Sequence, residues 1–196
     1  MWDEQQRDGK EPLDEKQAKE RYHNLAQLNR KLVAINCWYK DDSESDSMWQ
    51  LYLKGAGEGV AIHSTVGRLK DALKDEQRDV HIGCVDYIDY ESDEFESLGR
   101  FSRFLHKRKG FKCEHELRAM VGLDTKIQSG EIFDYLKSDP EVEYGLSLSV
   151  NLQVLIEEVV IAPGAEWLEL VTLKVINRHG LPVHVRCTQL DADPTY

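Results

Sequence analysis

Residues 45–63 read SDSMWQLYLKGAGEGVAIH: an aromatic run, glycines at the alternate positions Gly55, Gly57 and Gly59, then a short apolar run. A dinucleotide fingerprint needs a strand, then the glycine turn, then a helix whose amino terminus faces the pyrophosphate. Here the order is reversed. Asp46 or Ser47 can cap a helix carrying Met48, Trp49, Leu51, Tyr52 and Leu53, and Val60–His63 reads as the strand that follows. A phosphate at the glycines would meet helix carbonyls and the Glu58 carboxylate, so the triplet reads as a helix-to-strand turn. Gly55 is expected to close the helix in a left-handed conformation, and Gly59 to leave room for close packing.

The mixed pattern continues on both sides of this turn. Upstream, Leu32–Tyr39 (LVAINCWY) is strand-like, and Ala18, Tyr22, Leu25, Ala26 and Leu32 recur at the helical period, predicting a helix over about 13–31. Residues 1–12 are polar and are expected to be a frayed end or the cut edge of a longer protein. Downstream, Ser64 or Thr65 caps a helix from Val66 to Leu73, and Val80–Asp89 alternates as one strand. Phe95, Leu98, Phe101, Phe104 and Leu105 mark a helix running to Lys107, and 117–123 returns to strand. Residues 127–144 suit either a helix or a strand pair. Leu146–Leu152 alternates strictly, Glu157–Ala162 is a buried strand stopped by Pro163–Gly164, Leu168–Ile176 is a helix closed by Gly180, and 182–190 is a last strand. Without a βαβ rhythm, this order predicts an α+β domain over 33–196, after a helical segment over 13–32, with a mixed or antiparallel sheet and helices packed against it.

A chain of 196 residues can bury a core without metal or disulfide support. With 25 basic and 36 acidic residues the net charge is -11, which opposes loose nucleic-acid binding. Cys37, Cys84, Cys113 and Cys187 form no C-x-x-C pair, and no apolar run resembles a signal peptide or membrane span, so a cytosolic chain with reduced thiols and no membrane partner is expected. Cys113-x-His115 lacks the spacing of a structural zinc site, and no metal is expected. Cys37 lacks a recognisable base, and no Gly-x-Ser-x-Gly is present. The basic run from Arg100 to Lys112 either attracts the phosphate of a nucleotide or balances the acidic stretch from Asp86 to Glu96.

Glu114, Glu116 and Arg118 stand at alternate positions, which puts all three on one face if the chain is extended there. Two readings follow: a solvated strand with an ion pair, or a polar cleft. Trp38, Trp49 and Tyr52 are either core aromatics or contacts to a planar ligand.

The order Cys37-Trp38, Met48-Trp49 with Tyr52, Gly59-Val60-Ala61-Ile62, then Lys107, Phe111, Glu114, Glu116 and Arg118, resembles the bacterial family DUF2971 over about Val33 to Leu190. Members usually carry a further amino-terminal strand and an Asn-Asp-Pro segment, which are not visible here, and more often have Trp and Tyr where this chain has Phe111 and Cys113. The resemblance implies no reaction. The Glu-x-Glu pair is itself similar to that of mono-ADP-ribosyltransferases, in which one glutamate holds a ribose hydroxyl of NAD and the other orients the acceptor. That similarity implies Glu116, Glu114 and Arg118 as catalytic candidates, Trp49, Tyr52 and Lys107 as cofactor-binding candidates, and NAD as a substrate, in a toxin or phage-defence setting. The alternative is a noncatalytic module that binds a protein partner. On the first reading Glu116, flanked on its own face by the other two, is the best-held carboxylate. Glu116→Gln is then expected to abolish NAD turnover with little loss of stability, and Arg118→Ala to lower both.

Overall fold

The computed structural model describes residues 32–93, 101–122 and 145–192, with Asp14, Lys16, Lys19, Glu20 and His23. The chain divides into two compact units, one of Ile35–Val121 with Ser147–Tyr196 and one of Met1–Ala34 with Gly122–Leu146. In the latter, Lys16, Lys19, Glu20 and His23 are helical, as the apolar period predicts, and Asp14 is not; the other residues of the expected 13–31 helix, and the 127–144 stretch, lie outside the described residues.

The architecture is α+β, with antiparallel and mixed pairing, but the described strands form three sheets rather than one. The first has the order β1 (Val33–Tyr39), β6 (Glu116–Gly122), β3 (Val80–Cys84). The second has the order β2 (Val60–His63), β7 (Glu158–Ile161), β8 (His184–Cys187). The third pairs β4 (Asp86–Ile88) with β5 (His106–Arg108) in parallel. Parallel neighbours need a crossover. For β7 and β8 it is the helix α3 (Leu168–Arg178), a single βαβ unit within an otherwise antiparallel sheet.

The opening stretch folds as its element order requires. Helix α1 (Asp46–Leu53) is capped by Ser45, whose hydroxyl accepts from the Met48 N–H at 3.4 Å, one residue earlier than the expected cap. Lys54 is left-handed at φ 48°, Gly55 and Gly57 follow at φ 81° and 68°, and β2 begins at Val60. A Cβ on Gly59 would lie 2.5 Å from Leu53 Cδ2, which is the close packing that position needs. Gly57→Ala meets no neighbour and forces an L residue into the left-handed region. It is expected to cost about 1 kcal/mol, read as a lower urea midpoint with an unchanged slope; an unaltered midpoint would remove the turn's need for glycine. Thr65 caps α2 (Val66–Ala72), and Leu69, Ala72 and Leu73 are buried, as expected.

Three extended segments differ from the sequence reading because their partners are distant in the chain. Val80–Asp89 is not one strand: β3 pairs antiparallel with β6, the chain breaks at buried Val85, and β4 turns away to pair with β5. The expected helix to Lys107 is a 3-10 turn, Ser102–Leu105, followed by a strand over His106–Arg108, because β4 offers that segment a ladder; Phe95 and Leu98 lie outside the described residues. Residues 147–150 form no strand. They are satisfied by side chains instead, the Ser147 carbonyl accepting from Arg78 at 2.9 Å and the Ser149 N–H donating to Glu76 at 2.8 Å, while Leu148 and Val150 pack on the core.

That core gathers Leu69, Leu155, Val159, Ile161, Ile176 and Val185, with Trp38 and Trp49 packed against it. β3 and β6 contribute one face to it. Ile82 opposes Ala119 and Cys84 opposes buried Leu117 across the ladder, which leaves Gly83 and Arg118 facing the other way.

Candidate functional site

On that other face, the alternation of β6 sets Glu116 and Arg118 side by side. Arg118 Nε and Nη2 each lie 2.6 Å from Glu116 Oε2, so the expected ion pair on one strand face is present. Gly83 stands opposite Arg118. A Cβ there would lie 2.9 Å from Leu105, so its absence lets the 102–105 turn approach, and the Phe104 carbonyl accepts from Arg118 Nη1 at 2.5 Å.

Glu114 reaches the same place by another route. It is not extended: it ends a 3-10 helix, Lys109–Glu114, and His115 is left-handed at φ 38° and ψ 48°. The turn nonetheless brings Glu114 and Glu116 to one ammonium. Lys107 Nζ, carried by β5, donates to Glu114 Oε2 and to Glu116 Oε1, each at 2.7 Å. The Glu116 N–H donates to the Tyr87 hydroxyl at 2.8 Å, which anchors the start of β6.

Two carboxylates and two cations therefore balance in a region screened from water. The Glu116 side chain is 6% exposed, Glu114 13%, Arg118 14% and Lys107 24%. Burial pushes the Glu116 carboxyl upward, but the hydrogen bonds from Lys107 and from Arg118 outweigh it and bring it down to about 2. Burial pulls Lys107 down, and its bonds to Glu114 and Glu116 reverse this and hold it above its usual value. At neutral pH Glu116 is thus a fixed anion and a poor proton acceptor, and Lys107 is an ammonium that cannot act as a nucleophile. The arrangement can hold a hydroxyl or face a developing positive charge without reorganising.

The rim is formed by residues of other elements. Tyr52, on α1, is 60% exposed, and burial first and the Glu116 and Glu114 carboxylates after it push its hydroxyl up. Phe111 is exposed and lies under Lys107, whose Nζ is 4.8 Å from the ring centroid. Burial first and the Glu116 carboxylate second push the Cys37 thiol up, so it is a thiol rather than an activated thiolate.

The structure thus brings together Glu114, Glu116, Arg118 and Lys107, and shows no direct contact of Tyr52 with them. Trp49 is partly buried and packs against the hydrophobic core with Trp38, in keeping with the core alternative for these aromatics. The expectation that Glu116→Gln spares stability is corrected, since removing the charge strands two screened cations. Of the basic run, Lys109 pairs with Asp93 at 2.9 Å, in keeping with mutual balance of the two charged stretches. Tyr87 was missed, and only the β3–β4 break that redirects it could have signalled its role. Cys37 was read without a partner, and its neighbours come from β6, far along the chain. Among the described residues no helix is long and apolar enough to cross a membrane, and no group of His, Cys, Asp and Glu is arranged to hold a metal. Compared with protein-family models, with curated proteins and with solved structures, the chain has no match.

Proposed function

We propose that the Lys107–Glu114–Glu116–Arg118 cluster is the site of a nucleotide-directed enzyme, with NAD as the first substrate to test. The observation that supports this reading is a screened carboxylate, Glu116, fixed by two cations, one of which, Lys107, lies over the exposed Phe111 ring. The Phe111 ring suits the flat face of a base or nicotinamide ring, and the acidic floor suits ribose hydroxyls. Glu116 has both oxygens engaged, whereas Glu114 has Oε2 on Lys107 and no donor to Oε1 among the described residues. Glu114 is therefore the carboxylate that contacts the sugar, and Glu116 with Arg118 holds the charge pattern. The resemblance to DUF2971 adds no reaction, so the reading rests on this arrangement.

The test is calorimetry with NAD and with ADP-ribose, together with analysis for released nicotinamide. Glu114→Gln keeps the Glu116–Arg118 pair and is expected to weaken binding about tenfold or more and to abolish release. If the wild-type protein neither binds nor consumes NAD, the NAD reading fails. A noncatalytic binding module is the second reading, favoured by the pairing of all four charges within the protein.

A further inference from the structure

His115 is a non-glycine residue in the left-handed region, at the point where the chain passes from Glu114 to Glu116. That conformation is unfavourable for an L residue and persists only where its surroundings hold it. Several contacts do so. The His115 N–H donates to the Lys112 carbonyl at 3.2 Å, its carbonyl accepts from the Lys40 N–H at 2.9 Å, and its ring stacks on Tyr39 at 6.0 Å between centroids. Its Nδ1 lies 3.1 Å from Asp41 Oδ2. Asp41 is itself fixed by the Ser43 N–H at 3.2 Å and the Ser43 hydroxyl at 3.0 Å; the hydroxyl first, His115 next and the Ser43 N–H third bring its carboxyl down to about 2.

We infer that His115 is a positioning residue, and that its clamp on Asp41 and Tyr39 is what sets Glu114 and Glu116 on one Lys107 ammonium. A residue in the right-handed or extended region at 115 would swing Glu114 away from Lys107, because the direction of the preceding side chain relative to β6 is fixed by these two dihedral angles. In the sequence both glutamates share a face only if 114–118 is extended; in the fold the left-handed turn restores that convergence by different means. The inference deepens the proposed site, yet its test reads the cluster alone, so it stands or falls apart from NAD.

The experiment is nitrogen-edited NMR of lysine ammonium groups at neutral pH, with the Lys107 signal assigned by its loss in Lys107→Arg. Two hydrogen bonds slow exchange of the Lys107 ammonium protons with water, so the wild-type signal is expected to be visible. In His115→Ala, and in Asp41→Ala, which leaves residue 115 itself unchanged, exchange is expected to quicken at least about tenfold, equivalent to about 1.4 kcal/mol of lost protection. His115→Asn, which tolerates the left-handed region and can still donate to Asp41, is expected to recover most of the protection. A Lys107 signal that is unchanged in either Ala variant overturns the inference, as does an Asn variant no better than Ala. Chemical-shift dispersion in the same spectra confirms that each variant is folded.

Discussion

Glu116→Gln is expected to be among the most destabilising single changes in this chain, with a loss of about 3 kcal/mol and at most about 5 kcal/mol. The amide keeps the volume of the side chain but removes the charge that Lys107 and Arg118 share, leaving two screened cations beside one another with only Glu114 to balance them. A second estimate agrees. The carboxyl lies at about 2 in the fold against an ordinary value of 4.5, and at about 1.4 kcal/mol per pH unit that gap is on the order of 3 kcal/mol. The sign follows from the depression. The contribution is complete above pH 4.5 and is lost as the pH falls through about 2. Urea unfolding from pH 7 to pH 2 should therefore show the variant weaker at neutral pH and less sensitive to acid than the wild type. Acid sensitivity remains from Asp41 and Glu76, both brought to about 2, and from Glu44 and Glu158, which are also held down. Equal stabilities at pH 7 would mean that the cluster is solvated and that its cations need no partner.

Ile161→Ala should cost a comparable amount, about 3 kcal/mol within a range of 2–5, for an unrelated reason. Ile161 is 0% exposed, on the central strand β7, between Val60 of β2 and Cys187 of β8. Its side chain lies within the cluster that also contains Val159, Ala162, Ile176 and Val185. Truncation removes apolar contacts and leaves a void that the paired strands cannot close, because both neighbours are fixed by backbone ladders. The effect should appear as a lower urea midpoint with an unchanged slope at neutral pH, and, unlike that of Glu116→Gln, it should not depend on pH. A loss below about 1 kcal/mol would show that β7 is not where the core is closed.

By itself the sequence determined the features whose cause is local. The reversal at 55–59 is one: a capped amphipathic run, glycines that accept positive φ, and a β-branched run can be read in order from neighbouring residues. The Glu116–Arg118 pair is another, since alternation on a strand needs only the period of the backbone. The sequence also carried the α+β class, through the mixture of periods. Tertiary structure decided where the extended segments find their hydrogen bonds. It gave His106 and Lys107, the end of the expected helix, to β5 by offering them β4, broke Val80–Asp89 at Val85, and gave 147–150 side-chain partners in place of a ladder. The same reason governs the site. Lys107, Cys37 and Tyr52 belong to segments whose local patterns do not refer to Glu116, and Trp49, three residues from Tyr52, packs on the core. An ion pair or a strand partner is a relation between distant parts of the chain, and it takes its energy from screening and desolvation that exist only once those parts have met.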